Sequence, residues 1–446
     1  MIKTSEFAAR RRRLMEAMPE HSVAIIRTST PAERTFGTYY AFRPRSSFYY
    51  LTGFAERDAY AVFIPGRAQG EFLLFCRPEN AGRELLQGCF SGQRAAQSVF
   101  GADAAFDVAQ FETLLPQLLE GKTKVLYQIG IDDAVVGGAV TRTISALQDK
   151  VRAGVVAPIT LHSLDHLLQD LRYRKSPAEL ALIRKAVAIS VAGHLRAMAA
   201  VRPDLQEYEL EAEVLHEFVR NGAQAAYPVV ICASTAACVM HHREDNRHRM
   251  ADGDLLIVDA GAEYAYYAAD ITCTYPVNGV FSTEQRAVYE LVLEIQRSMI
   301  ALIRPGIGFD VLLDCMETLL TRGLLTLGLL HGDLDTLRRD KAYKVFFPHN
   351  IGHWVGMDVH DEISYCCTDG SWRHFEPGTV LTVEPALYIR PGLEQVHPRW
   401  WNIGVHIEDV VLVTETGHEV LSAALPRSVE GIEAMTGSQR FSRDLL

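Results

Sequence analysis

The stretch HNIGHWVGMDVHD, residues 349–361, sets three histidines and two acids among Ile351, Trp354, Val355, Met357 and Val359. Imidazoles and carboxylates in apolar sequence are the material of a metal centre or of acid–base chemistry, although a histidine in such a run is more often a packed core residue. Acids elsewhere in the chain decide the matter. Asp259 closes the apolar run LLIVD, and Asp270 lies beyond a turn through Gly261 and Glu263. A hairpin there brings the two carboxylates together, where they repel unless they share a proton or a cation. Glu384 ends the apolar run GTVLTVE and is followed by Pro385. In IGVHIEDVVLVT a period of two puts Val405 and Ile407 on one face of a strand and His406 and Glu408 on the other. Any one of these acids alone fits a half-exposed strand as well as a site. Four of them at the ends of apolar strands, with a histidine cluster between, are a poor place for idle charge.

The charge count points further. Asp259, Asp270, Glu384 and Glu408 supply four negative charges, which two divalent cations balance, and His353 adds one neutral nitrogen. Mostly oxygen ligands with a single imidazole and no thiolate suit Mn²⁺, Co²⁺, Fe²⁺ or Zn²⁺. Two such ions polarising one carbonyl make a hydrolase centre.

The elements that must position these groups fall into two blocks. Residues 1–172 alternate apolar strands (SVAIIRT, AYAVFIPG, EFLLFC, KVLYQIG) with helical stretches (FETLLPQLLE, TRTISALQDKV), which predicts an α/β N-terminal domain. The charged RYRK reads as a linker. Beyond it Ser176, Pro177 and Glu179 form a capping box that opens a long helix. Residues 173–446 mix long helices (about 207–221, 283–303 and 309–328) with hairpin-like strands, an α+β pattern. The chain of 446 residues is long enough for two cores. A net charge of −11 with no long basic run argues against nucleic acid as a partner, and Arg10 to Arg13 read as a solvated helix face. The N-terminus lacks a signal-peptide core and no apolar run is long enough to span a bilayer. Eight scattered cysteines without a CxxC pair fit a reducing cytoplasm.

Taken in order, Asp259 in DAG, Asp270 in DIT, His353 in HNIGHWVG, Glu384 in TVEP and Glu408 in IED resemble the ligand motifs of the pita-bread metallopeptidases, specifically the Xaa-Pro aminopeptidases (aminopeptidase P). YYAFRPRSSFYYLTGF resembles an N-terminal segment that these enzymes share with prolidases. The resemblance implies an α/β N-terminal domain followed by an α+β pita-bread catalytic domain. It also implies two divalent ions, most readily Mn²⁺, held by Asp259, Asp270, His353, Glu384 and Glu408. The implied substrates are peptides with proline in second position, from which the N-terminal residue is released. Glu384 would also shuttle a proton, His360 would steady the carbonyl oxygen, and His349 would flank the reacting bond. His241 (or His242 beside it), Tyr227, Tyr388 and His406 would line the substrate pocket. A cytoplasmic homo-oligomer, dimer or tetramer, is implied as well. Two alternatives stand beside this: a prolidase restricted to Xaa-Pro dipeptides, and an inactive pita-bread binding protein. The sequence departs from the family at Asn350, where glycine is usual, and at His406, where arginine is usual. Arg399 is the expected source of a replacement charge.

Overall fold

The computed structural model describes residues 2–79, 82, 88–239 and 246–438. The chain divides into two compact units, Met1–Arg172 and Tyr173–Leu446. Among the described residues no helix is long and apolar enough to cross a membrane.

The first unit is α/β. Its six-stranded mixed sheet runs, edge to edge, Ala104–Asp107, Phe72–Cys76, Tyr60–Phe63, Ser22–Arg27, Lys124–Tyr127 and Thr160–Ser163. The central strands read as unbroken apolar runs because both of their faces are covered. Val23, Ile25, Leu73, Phe75 and Val125 pack under the helices Phe111–Leu119 and Gly138–Gln148 through Leu115, Leu119 and Val140.

The basic cluster near the N-terminus departs from expectation. Arg12 and Arg13 are exposed, but Arg10 and Arg11 are buried. Arg10 donates to Tyr50 O (3.2 Å) and Glu6 Oε1 (2.7 Å) and lies 4.1 Å over the Tyr50 ring; Arg11 donates to Leu51 O (2.9 Å) and stacks over Phe72. A guanidinium can enter a core this way because its planar face packs on rings while its edge finds acceptors.

The second unit is α+β. Its first helix, Pro177–Ala200, opens with the capping box of Ser176 and Glu179, and Glu207–Arg220, Thr283–Leu302 and Phe309–Thr326 follow. One three-stranded sheet joins Val230–Ala233, Leu255–Asp259 and Thr272–Pro276; another joins Val380–Val383, Asp409–Val413 and His418–Val420. A two-stranded ribbon pairs Ala386–Ile389 with Ile403–His406.

RYRK is not a loose linker. Arg172 is buried against Ser47 Oγ in the first unit. In the second unit Tyr173 donates to His374 O (2.5 Å), and Lys175 Nζ meets Asp361 Oδ2 at 3.0 Å with both side chains almost fully enclosed. These residues look like a linker only because charge normally marks surface. Here each charged head has a partner, the condition for burying it.

Removing one half of the Lys175–Asp361 pair strands the other charge in the interior. Lys175→Ala is therefore expected to lose roughly 3–5 kcal/mol of stability. Lys175→Met combined with Asp361→Leu should lose less than either single change to alanine. Urea unfolding of the three variants checks the ordering.

Candidate metal centre and active site

Each acid sits where regular pairing stops. Leu255–Asp259 pairs antiparallel with Thr272–Pro276, with Asp259 opposite Thr272. Asp270 lies just before that second strand rather than within it, because the intervening chain leaves the sheet to form the small hairpin Ala262–Tyr264/Tyr267–Ala268. Gly261 makes the crossing possible: a Cβ there would stand 1.8 Å from Ala269 O. Tyr227 ties the result together, its hydroxyl lying against Asp259 Oδ1 (2.6 Å) and Asp270 Oδ1.

Glu384 and Glu408 come from two long strands that kink side by side. Val383 faces Asp409 on one side of the gap and Ala386 faces His406 on the other, so Glu384 and Glu408 are cross-strand neighbours. Like charges directly opposite destabilise a sheet unless something neutralises them. At the gap the backbone turns outward: Glu384 N–H donates to Ile351 O (3.0 Å) and Glu408 N–H to Thr272 O (3.1 Å). Thr272 Oγ1 donates to Glu408 Oε2 at 2.8 Å.

His353 is delivered by a segment laid against the first of these strands. It exchanges bonds with Thr382 (Thr382 N–H to His353 O, 2.8 Å; His353 N–H to Thr382 Oγ1, 2.9 Å). Gly352 permits the approach, since a Cβ there would lie 2.2 Å from Thr382 O. His353 Nδ1–H donates to Trp354 O (3.1 Å), which leaves Nε2 facing Asp270 Oδ2 (3.3 Å), Glu384 Oε1 (3.8 Å) and Glu408 Oε1 (3.9 Å). Fixing one ring nitrogen by a backbone acceptor presents the other as a ligand.

Two sets of potential ligand atoms, Asp259/Asp270/Glu408 and His353/Glu384/Glu408, each fit within 4.8 Å, and so does Asp270/His353/His360. No lysine or arginine is among the described residues lining the cavity. Burial, then repulsion from Asp270, pushes Asp259 up to about 7. Burial, then Asp270 and Glu384, pushes Glu408 well above the usual carboxylate range. Burial works against a charge on His353, but Asp270 and Glu384 outweigh it and raise the imidazole to about 9. Burial likewise opposes charge on Glu384, yet the neighbouring His406, His353 and His349 hold it below its ordinary value. Four enclosed acids and one correctly turned imidazole fit two divalent cations in chemistry and in number.

Of the remaining predicted residues, Tyr227, His349, His360, Tyr388 and His406 line a cavity of about 450 Å³ that includes the five. His349 Nε2 is 3.1 Å from Tyr388 Oη, and His349 Nδ1 is 3.7 Å from Glu384 Oε2. The His360 ring lies edge-on to His353, centroids 4.3 Å apart, on the exposed side. His406 Nε2 is buried without a hydrogen-bond partner, 3.6 Å from Glu384 Oε2. His241 and His242 lie outside the described residues. Arg399 is exposed, stacks on Trp400 at 5.1 Å and does not line the cavity.

Sequence reasoning missed Tyr365, which lines the cavity and is pushed up to about 12 chiefly by burial. It also missed the apolar wall of Val230, Cys232, Ala237 and Ile257. Tyr365 sits four residues beyond Asp361, just past the end of the stretch that carries the signal. The wall residues carry no signal that separates them from any buried strand.

Residues 181–415 match Metallopeptidase family M24, and residues 7–127 match Aminopeptidase P, N-terminal domain. The chain belongs to metallopeptidase family M24. It is 38% identical to an Escherichia coli Xaa-Pro aminopeptidase over 98% of this chain and 99% of that one. It is 32% identical to Xaa-Pro aminopeptidase 3 of Rattus norvegicus over 96% of this chain and 85% of that one. Among solved structures, the aminopeptidase PepP of Pseudomonas aeruginosa superposes with a TM-score of 0.94 at 43% identity, covering 97% of this chain and 98% of that one. An Escherichia coli aminopeptidase P with the inhibitor Pro-Leu gives 0.92 at 37% identity, again covering 97% and 98%. The α/β unit followed by the pita-bread catalytic unit is thus the aminopeptidase P architecture, that of a metallopeptidase family.

Because Asp259, Glu408 and His353 hold protons near neutrality when no ion balances them, metal uptake must displace those protons. Titrating metal-free protein with Mn²⁺ at pH 7 is expected to release on the order of two protons. Calorimetry in buffers of different ionisation heat measures this number. The sign follows: apparent affinity rises as pH climbs from 6 toward 9, and a flat profile would contradict the arrangement.

Proposed function

We propose that this chain is a dinuclear-metal aminopeptidase that releases the N-terminal residue from peptides with proline in second position. The observation that carries the reading is the convergence of Asp259, Asp270, His353, Glu384 and Glu408 on one cavity within a full-length M24 fold. Full-length relatives named Xaa-Pro aminopeptidase support it over a prolidase confined to dipeptides. Retention of all five polar groups argues against a binding protein that has lost catalysis.

In this reading Asp259, Asp270, His353, Glu384 and Glu408 would together hold the two ions. Bound divalent ions supply a water nucleophile at neutral pH and polarise the scissile carbonyl. Mn²⁺ is the proposed metal, given the preponderance of carboxylate oxygen.

The protein's own groups do the rest. Glu384, kept ionised by the histidines around it, accepts the proton of the attacking water at a carboxylate oxygen and returns it to the departing proline nitrogen. His360, on the open side of His353, donates to the carbonyl oxygen as negative charge develops. His349, oriented by Tyr388, flanks the reacting bond. Tyr227 holds Asp259 and Asp270 in register. His406, its Nε2 3.6 Å from Glu384 Oε2, lines the substrate pocket.

We further place the enzyme in the cytoplasm as a homo-oligomer. None of the eight cysteines is joined in a disulfide, and Cys89, Cys366 and Cys367 are exposed, which suits a reducing compartment. Phe36, Tyr39 and Tyr40 are exposed on and beside the hairpin Glu33–Thr35/Thr38–Tyr39, a surface suited to a second copy.

A chelator should abolish turnover and Mn²⁺ should restore it best among divalent ions. Glu384→Gln should lower kcat by roughly 100- to 10,000-fold with the fold intact by circular dichroism. The deciding comparison is an Xaa-Pro dipeptide beside an Xaa-Pro-Xaa-Xaa peptide, read by mass spectrometry. Release of one residue from the longer peptide is expected; turnover of the dipeptide alone would make the enzyme a prolidase.

A further inference from the structure

The kinked strands that carry Glu384 and Glu408 leave a backbone acceptor without its ladder donor. In an antiparallel pair, alternate opposed residues exchange two hydrogen bonds. Pro385 and Ile407 occupy such a position: Ile407 N–H reaches Pro385 O at 3.4 Å. Proline has no N–H to return. The Ile407 carbonyl, one residue before Glu408, is thus orphaned by the residue that follows Glu384.

The missing donor comes from outside the sheet. Gln296 lies on the helix Thr283–Leu302 among Val292, Ile295 and Met299, and is itself almost wholly buried. An amide in that setting is costly unless it is bonded. Its Nε2 lies 3.3 Å from Ile407 O, 3.3 Å from Val383 O and 3.0 Å from Asp409 Oδ2. It therefore holds the carbonyls of the residues immediately preceding both metal-site glutamates. Asp409 is in turn fixed at Oδ1 by Ser422 Oγ (2.5 Å) and Arg427 Nη2 (2.7 Å). Arg427 also donates to Glu408 O (2.5 Å) and Thr272 O (2.8 Å), the carbonyl that receives Glu408 N–H. The line Arg427–Asp409–Gln296 runs behind the two kinks, on the side away from the cavity residues.

We propose that Gln296 is a positioning residue. Its side-chain amide replaces the hydrogen bond that Pro385 cannot make and so sets the spacing of Glu384 and Glu408 for the metal ions. The proposal rests on the metal-centre reading above. It explains how the pairing resumes across a proline that lies in the gap between two strand segments.

The test restores the donor from the other side. Wild type, Gln296→Met, Pro385→Ala and the double variant are stripped of metal. Each is titrated with Mn²⁺ by calorimetry and with Co²⁺ by visible absorption, alongside thermal unfolding. Gln296→Met keeps length and volume without a donor, and is expected to weaken metal binding roughly 10- to 100-fold and to alter the Co²⁺ spectrum. Pro385→Ala returns a backbone N–H opposite Ile407. In that background the loss caused by Gln296→Met should be at least about three-fold smaller, with the Co²⁺ spectrum moving back toward wild type. At saturating Mn²⁺, Gln296→Met should lower kcat more than it raises KM. A lower Tm with unchanged metal affinity and spectrum would reduce Gln296 to a core residue, and equal losses in both backgrounds would overturn the donor role. Should Gln296→Met not fold, recovery of folded, metal-binding protein in the double variant would itself be the rescue. Should neither fold, Gln296→Asn, whose amide is retracted by one methylene, carries the same comparison in both backgrounds. Wild type that takes up no metal would defeat the metal-centre reading and this proposal together, whereas normal wild-type uptake with indifferent variants would defeat this proposal alone.

Discussion

Four carboxylates held together with little protein charge to offset them are the constraint around which the catalytic unit is built. Two unit charges about 4 Å apart repel by about 4 kcal/mol at an effective dielectric near 20, and this cavity multiplies such pairs. Left to themselves, the strands bearing Asp259, Asp270, Glu384 and Glu408 would splay. The fold answers with backbone as well as with the imidazoles of His349, His353 and His406. Ile351 and Thr272 accept the amides at the kinks, and Gly261 and Gly352 let chains approach to distances no side chain allows. The proton affinities of Asp259 and Glu408 are raised first by burial and then by their acidic neighbours, while that of His353 is raised, against its burial, by attraction to Asp270 and Glu384.

Much of this was legible in the sequence. Apolar strands that end in an acid announce themselves, because burying a charge at a strand terminus has few structural motives. The capping box at Ser176 and Glu179 was read correctly, since each of its bonds is local. The strands and helices of the first unit were equally plain, their cores being continuous apolar runs.

What failed or went unseen depended on partners distant in the chain. Arg10, Arg11 and Lys175 carry charge and were placed at the surface; their burial depends on Tyr50, Leu51, Phe72 and Asp361, which no local pattern links to them. Asp259 and Asp270 read as the two sides of one simple hairpin because the excursion through Ala262–Ala268, which pairs with itself, leaves no local mark. Gln296 sits in an ordinary amphipathic helix, and its meaning appears only once Pro385 is seen opposite Ile407.

The close approach at Gly261 bears on how sequences in this lineage can drift. Gly261 binds nothing, yet its hydrogen occupies space that a methyl group would contest with Ala269 O at 1.8 Å. Its φ does not lie in the left-handed region, so the constraint comes from the neighbouring strand rather than from the residue's own backbone. A lineage that gained even alanine there would have to move Asp270 away from Asp259 and lose the cluster without altering any of its acids. Selection at such a position is invisible to an inventory of chemically active side chains, and the set of sites at which this enzyme can be silently disabled is larger than the set that does its chemistry.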